Sequence, residues 1–386
     1  MGETAPRPRP AGRRGERPAP LVGIVDLTTL PQPPFGSYAA VARSGKELLA
    51  AELSRRLGAQ GAGVLRLTPT ADEAGFHWGR WFAAAAAQAL SGAGVDAIGY
   101  AGAGSLALLD DAGLDELLSP VPGEVVANNR FSADAFVVAG DLDAALRALE
   151  TADTDNVAVR RLEEAGFRSR DLRAMPWSRF DVDTPQDLAL LRLAERLPAT
   201  RALEPAVAGF LEMATLPGGR RLELPHLAEI GGVVRDRHAE LVACGRLPAQ
   251  TLAYLETETA CRVRAFVEER GMRSARDGVP RSLMADWARH RGPRDLVNEL
   301  ASLGDAVILD SRVVMAALAG SSDAAAWPPE EDRFASDFGD AARVATPWLA
   351  ELTAAAGEAS VPVLMGGHAL LSDGLRILVE AAWLGR

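Results

Sequence analysis

Hydrophobic positions along the chain alternate between short continuous runs and longer segments with helical spacing. The short runs predict buried strands, and the spaced segments predict helices with one apolar side. The predicted strands of the first half cover residues 21–27, 63–67, 97–100, 124–127 and 135–139. The predicted helices there cover residues 46–57, 81–90, 113–118, 142–151, 157–165 and 184–197. This alternation predicts a three-layer α/β/α domain with a mainly parallel sheet.

The second half has a less regular pattern. The turn at 216–219 indicates a boundary, and the segment from there to about residue 294 is predicted to be mostly helical. One of its predicted helices contains Arg262, Arg264, Glu268, Glu269 and Arg270 and ends at Gly271. Strands at 306–309 and 361–365 and an apolar helix at 375–384 follow. We therefore predict a disordered tail at 1–20, a first domain at 21–198 and a second, mixed α/β domain at 215–386.

Composition excludes several classes of protein. The chain has 386 residues, 48% of them hydrophobic, and a formal net charge of −11, which disfavours general binding to nucleic acid or an anionic membrane. No apolar run approaches the ~18–20 residues that span a bilayer. With only Cys244 and Cys261, no disulfide framework exists, and we expect a reducing, cytoplasmic setting. Whether the protein forms a homo-oligomer is left open.

The sequence can be compared with three familiar motifs: the P-loop, the dinucleotide-binding turn and the zinc site. Residues 40–47 (AVARSGKE) fail the P-loop pattern, because Ala40 and Glu47 stand where Gly and Ser or Thr are needed. Gly102-Ala-Gly104-Ser105 opens a G-x-G-x-x-A match after a predicted strand, which alone is a weak sign of a dinucleotide and also fits a phosphate-facing or structural turn. Cys244, Cys261 and His238 lack the spacing of a zinc site.

Polar residues follow several predicted strands, where α/β proteins bind their ligands. Lys46, the only lysine, begins a predicted helix and is a candidate phosphate ligand or an exposed first-turn residue. After the strand at 124–127, the candidate binding residues are Asn128, Asn129, Ser132 and Asp134, which also fit a self-satisfied loop. After the last two strands, the candidates are Asp310, Arg312 and His368, with His368 as acid, base, phosphate ligand or structural residue.

The segment 180–187 (FDVDTPQD) carries the strongest local signal. In an extended segment Asp181 and Asp183 lie on the same face, and two close carboxylates suit a divalent cation such as Mg²⁺. Asp183 or Thr184 then caps a helix that has Pro185 at its first position. A cap without any metal is the alternative interpretation.

Residues 156–190 (NVAVRRLEEAGF…SRFDVDTPQDLALL) resemble the C-terminal part of a MobA-like nucleotidyltransferase domain. That family includes molybdenum cofactor guanylyltransferases and phospholactate guanylyltransferases. The order of strands and helices over residues 21–195 and the position of Lys46 are similar as well. The resemblance implies the fold of nucleotide-diphospho-sugar transferases.

The resemblance also implies a function. It implies Mg²⁺-dependent transfer of a nucleotidyl group from an NTP to a small phosphorylated acceptor, with release of pyrophosphate. Lys46 and Asp183 would be catalytic, and Asp181 and Asp183 would hold Mg²⁺. The resemblance implies that Asn128, Asn129, Ser132 and Asp134 line the acceptor side. Arg43, Gly102, Gly104 and Ser105 are further candidate nucleotide- or substrate-binding residues.

Two other functions stay open from the sequence. In the family a metal-binding Asp follows the middle strand, where this chain has Gly102-Ala-Gly-Ser105 and no carboxylate before Asp110. This difference favours a catalytically degenerate protein that binds a nucleotide or sugar phosphate on the same fold. The glycine-rich turn leaves a dinucleotide-dependent oxidoreductase as a third alternative.

Overall fold

The computed structural model describes residues 19–69, 76–91, 94–172, 175, 177–269 and 279–384. The first sheet has the order β2-β1-β3-β5-β4-β6, with β5 antiparallel to both neighbours and the other pairs parallel. Its strands are β1 (Leu21–Val25), β2 (Gly63–Leu67), β3 (Ala97–Ala101), β4 (Glu124–Ala127), β5 (Ala135–Ala139) and β6 (Arg168–Asp171). The helices that accompany them are α1 (Tyr38–Ala59), α2 (Trp78–Leu90), α3 (Asp111–Leu117), α4 (Leu142–Glu150), α5 (Ala158–Glu164), α6 (Pro185–Ala194) and α7 (Pro205–Met213).

Alternation of side chains along the strands gives this sheet two apolar faces. Val22 and Ile24 lie in one buried cluster with α1 and α3, whereas Ile98 and Tyr100 lie in another with α2, α4 and α5. Helices therefore cover both faces of the first sheet. The prediction of a mixed α/β protein with mainly parallel sheets is confirmed.

The second sheet is fully parallel, in the order β10-β9-β11-β12. Its strands are β9 (Glu240–Gly245), β10 (Arg262–Val267), β11 (Ala306–Asp310) and β12 (Val363–Gly366), and β7 (Thr215–Leu216) and β8 (Arg220–Arg221) form a small hairpin before it. The helices of this half are α8 (Leu227–Arg235), α9 (Ala249–Glu258), α10 (Leu283–Arg291), α11 (Pro293–Ser302), α12 (Ser311–Ala319), α13 (Glu330–Asp337), α14 (Pro347–Glu358) and α15 (Leu375–Leu384). We call the parts built on the first and second sheets the first and second lobes.

Helix α6 joins the two lobes. Nearly every residue of α6 is buried, including Leu188, Leu190 and Leu191, so the helix is enclosed on nearly all sides. One buried cluster contains Tyr38 of α1, the leucines of α6 and the core of the second sheet. The hydrophobic core therefore continues from one lobe to the other.

Two local predictions were wrong. Helix α1 begins at Tyr38 rather than 46, so Lys46 lies in its third turn, and much of the predicted loop before it is helical. The helix predicted around Arg262 and Arg264 is strand β10, because Val263 and Ala265 alternate inward while the two arginines pair with Glu240 of β9. The rest of that prediction, Arg270 and Gly271, lies outside the described residues, and Glu268 and Glu269 follow the strand.

Strand β9 was absent from the predicted elements, although it lies between β10 and β11 in the second sheet. The segment that was predicted to be mostly helical therefore contains two strands of the second sheet, β9 and β10. The predicted tail at 1–20 lies almost entirely outside the described residues. None of the helices in the described ranges combines the length and hydrophobicity needed to cross a membrane.

Candidate functional site

The site lies at the edge of the first sheet where its parallel strands end. Helix α1 reaches this edge with Lys46, whose Nζ lies 3.3 Å from Oδ1 of Asp183. The Asp183 side chain is 71% exposed and that of Lys46 only 25%, so solvent reaches the pair mainly over the carboxylate. Burial lowers the pKa of Lys46, but Asp183 and Asp181 outweigh it and hold the pKa above its usual value. The ammonium is therefore charged and faces a carboxylate that a ligand can reach.

The glycine-rich turn after β3 holds the aspartate segment in place. The backbone N–H of Val182, between the two aspartates, donates to the carbonyl of Gly104 at 3.1 Å. A Cβ on Gly104 would overlap the Val182 carbonyl, so the close approach requires glycine. Gly102 in turn donates to the carbonyl of Asp134 at 2.9 Å, and the Ser105 hydroxyl donates back to the Gly102 carbonyl. Within the described contacts, the turn acts as a structural bracket between two loops.

The loop after β4 is largely satisfied by its own residues. Asn128 donates to the Asp134 carboxylate at 3.1 Å and accepts from the backbone of Asp134 and Ala135. Asn129 accepts from the backbone of Phe131, and the hydroxyl of Ser132 bonds to Asn156. The two asparagines and the serine therefore fix the loop, and the loop brings Asp134 toward the site.

Negative charge accumulates around Asp181. Burial raises the pKa of Asp181 well above its usual value, and the carboxylates of Asp183 and Asp134 raise it further, while Lys46 opposes them. Lys46 thus faces Asp183 and Asp181, and Asp134 adds a further carboxylate beside Asp181. An excess of negative charge in a partly buried place favours binding of a cation.

The turn that carries Asp183 is fastened by the cap of α6. Thr184 accepts from the backbone of Asp187, and Asp187 accepts from the backbone N–H groups of Asp183 and Thr184 at 3.0 and 2.8 Å. Burial and the neighbouring Asp183 raise the pKa of Asp187 to about 7. Of the two predicted caps, Thr184 is the one observed, and Asp183 is left to point outward.

Gln186 joins the same turn to the second lobe by hydrogen bonds. The amide Nε2 of Gln186 donates to the carbonyl of Met365 at 2.6 Å and to that of Asp337 at 3.3 Å. Its Oε1 is buried among the described residues without a hydrogen bond, against Gly366, where any Cβ would overlap it. Asp183, three residues before Gln186, is thus anchored to the end of β12.

The second lobe also caps the helix that carries Lys46. The carboxylate of Glu331 accepts from the backbone N–H groups of Tyr38 and Ala39 at 2.9 and 3.0 Å. Tyr38 stacks on Phe338 and donates its hydroxyl to Asp340 at 3.0 Å. Glu331 therefore occupies the positive end of α1, where the helix dipole favours an anion.

Arg43 lies on α1 one turn before Lys46 and is held within its own lobe. Its Nε donates to Glu47 at 2.8 Å, and its Nη2 contacts the carbonyls of Leu27 and Leu30 in the loop after β1. Its described contacts tie that loop to the helix.

Asp310, Arg312 and His368 lie at the corresponding edge of the second sheet. Asp310 stands opposite Gly366 in the register of β11 and β12. Asp310 is fully buried and accepts two hydrogen bonds from Arg246, at 2.5 and 3.0 Å. Arg312 makes a buried, two-bond ion pair with Asp337, at 2.7 and 2.6 Å, whereas His368 is exposed.

Of the residues selected from the sequence, the structure brings Lys46, Asp134, Asp181 and Asp183 together. Sequence reasoning missed Gln186, Arg246 and Glu331, and only the position of Arg246 directly after a strand would have signalled one of them. Comparisons with known protein families and with curated proteins find no match to this chain.

Proposed function

We propose that the first lobe is a Mg²⁺-dependent nucleotidyltransferase. It would transfer a nucleotidyl group from an NTP to a small phosphorylated acceptor and release pyrophosphate. The observation that carries the proposal is Lys46 at 3.3 Å from Asp183, with Asp181 and Asp134 in the same electrostatic neighbourhood. A lysine beside carboxylates at the carboxyl edge of a mainly parallel sheet suits a metal-bound triphosphate. The likeness of residues 156–190 to MobA-like enzymes points the same way.

The donor set fits magnesium held together with phosphates. The described residues contain no group of three or more His, Cys, Asp or Glu side chains placed to enclose a metal. Mg²⁺ is usually held by one or two carboxylates plus substrate phosphates and water rather than by an all-protein cage. Asp181 and Asp183 would supply those carboxylates. Bound there, the ion would neutralise charge on the phosphates.

In the proposed reaction, the residues of the chain position the substrates and compensate negative charge. Lys46 would hold a phosphate oxygen as negative charge grows on the departing pyrophosphate. Asp187 and Gln186 fix the turn that presents Asp183, so little conformational freedom is lost when the substrates bind. The bracket around Gly104 does the same for Asp181 and Asp183.

A binding protein without transfer chemistry is the second candidate, and one observation favours it. No Asp or Glu occurs between Gly102 and Leu109 after β3, and Asp110 is used to cap α3 through the backbone of Gly113. Such a protein would bind a nucleotide or sugar phosphate without needing the metal.

The deciding experiment is thermal unfolding of the full chain with each of the four NTPs, with and without Mg²⁺. A ligand at 100 times its Kd stabilises the folded state by about 2.7 kcal/mol, which is a measurable shift. A shift that one NTP produces only with Mg²⁺ supports the transferase. An equal shift without Mg²⁺ supports the binding protein, and no shift with any NTP contradicts both the transferase and a protein that binds nucleotides.

A further inference from the structure

The second sheet has a topological switch point between β9 and β11. Strands β9 and β11 are neighbours at its centre, but β9 leads to α9, which packs with α15, while β11 leads to α12, which packs with α10. The chain therefore leaves the two strands toward opposite faces. In open parallel sheets, ligands bind outside the carboxyl ends of the strands at such a point.

The guanidinium of Arg246 is held in a fixed position at this switch point. Arg246 directly follows β9, and its Nε and Nη2 bind both oxygens of Asp310, the last residue of β11. Gly245 has a φ of +121°, and a Cβ there would overlap Asp310, so glycine lets the carboxylate come this close. The Arg246 side chain is 17% exposed while Asp310 is 0% exposed, so the arginine is the member of the pair that solvent reaches.

The pair leaves the arginine able to bind more. A guanidinium has five N–H donors, and the described contacts of the Arg246 side chain use two of them on Asp310. Burial raises the pKa of Asp310, but Arg246 outweighs it and holds the pKa below the usual value, with His368 contributing in the same direction. Asp310 thus remains ionised and orients the guanidinium.

His368 completes the set from a third strand end. Asp310 pairs with Gly366 in the register of β11 and β12, and the exposed His368 follows two residues later. Arg312 is paired with Asp337 and donates its backbone N–H to Asp310 at 3.2 Å, and Glu268 and Glu269 accept from the backbone and hydroxyl groups at 281–283.

We propose that Arg246 and His368 bind the phosphate or carboxylate group of a small molecule, with Asp310 as the positioning residue. Planar guanidinium donors match both anions, and an imidazole adds a further donor. This site is separate from the one around Lys46 and does not depend on the proposed transferase activity.

The test measures the affinity of the full chain for inorganic phosphate and for succinate by titration calorimetry at constant ionic strength. Binding of phosphate alone, or of succinate alone, identifies the kind of anion. His368→Ala and Arg246→Lys should each weaken binding about tenfold, because each removes a hydrogen bond to a charged group. Arg246→Lys keeps a positive charge beside Asp310 and so protects the fold.

One control variant separates this site from the rest of the molecule. His238→Ala removes an exposed histidine at the opposite end of β9. It should bind the anion as tightly as the unaltered chain. The proposal is overturned if neither anion binds, or if His368→Ala and Arg246→Lys bind it with unchanged affinity.

Discussion

The carboxyl edges of the two sheets differ in how far their carboxylates are paired with positively charged side chains. At the first edge, Asp181 and Asp183 share Lys46, and burial together with the neighbouring carboxylates of Asp183 and Asp134 raises the pKa of Asp181. At the second edge, Asp310 has Arg246 and Asp337 has Arg312, each through two hydrogen bonds. Carboxylates that are paired with arginines at the same edge need no ligand to compensate their charge. Carboxylates in excess of the positive side chains favour binding of a cation. The difference assigns stability mainly to the second edge and cation chemistry to the first.

The largest expected effect comes from breaking a neutral pair at the second edge. Arg312→Met leaves the fully buried Asp337 without its cation, which should lower the free energy of unfolding by about 3–5 kcal/mol. Urea denaturation measures this loss. The double variant Arg312→Met with Asp337→Leu should recover most of it, because no unpaired charge then remains. A single variant that loses less than about 1 kcal/mol would contradict the assigned role.

Removing charge from the first edge should act on chemistry rather than on folding. Asp183→Asn should raise the barrier to transfer by about 3 kcal/mol, a loss of roughly a hundredfold in pyrophosphate release. It should also abolish the Mg²⁺-dependent part of the thermal shift with NTP. Because the Asp183 side chain is 71% exposed, the free energy of unfolding should change by no more than about 0.5 kcal/mol.

The matched control for that variant is Asp143→Asn, which alters an exposed aspartate in the first turn of α4. It should leave both pyrophosphate release and the Mg²⁺-dependent shift as they are. Full activity of Asp183→Asn would contradict the metal-binding role of Asp183 and, with it, the assignment of cation chemistry to the first edge.

A smaller effect is expected where the lobes meet at the start of α1. Glu331→Ala leaves two backbone N–H groups of the helix without their acceptor and should cost about 1–2 kcal/mol of stability. The neighbouring Glu330→Ala changes an exposed acid and should cost no more than about 0.5 kcal/mol. Equal unfolding curves for the two variants would show that the cap contributes nothing.

The smallest effect tests a single hydroxyl at the same contact. Tyr38→Phe keeps the ring that stacks on Phe338 but loses the 3.0 Å hydrogen bond to Asp340. We expect a loss of about 1 kcal/mol in the free energy of unfolding. Differential scanning calorimetry of the two proteins resolves a change of this size, and a variant as stable as the unaltered chain would contradict it.

Most of the first lobe could be predicted from its sequence because five of its six strands are largely apolar runs between turn residues, whereas the polar β6 (Arg168–Asp171) was not predicted. Strands β4 and β5 have the predicted bounds, and β2 does as well. In the second lobe, arginine and glutamate in β10 suggested helical ion pairs, although Val263 and Ala265 alternate with period two. Charged residues on an edge strand fit both the pattern of helical ion pairs and the period-two pattern of a strand. Only the ion pairs of Arg262 and Arg264 with Glu240 distinguish the two.

The candidate site could be predicted in its residue types but not in its geometry. Lys46 and Asp183 are 137 residues apart, and no local pattern reports a distance between them. Arg246 was hidden because the chain has 41 Lys and Arg residues with one Lys, hence 40 arginines, so a single arginine after a strand attracts no notice. The contacts of Gln186 and Glu331 depend on how the lobes pack, which appears only in the folded chain.

The continuity of the core through α6 has a consequence for how this chain can be divided. Leu188, Leu190 and Leu191 have neighbours from both lobes, and Gln186 fits against a glycine of the other lobe. A fragment cut between the lobes would present this helix to water and invite aggregation. The two halves are therefore not interchangeable modules: exchanging either one requires redesigning the surface it shares with the other.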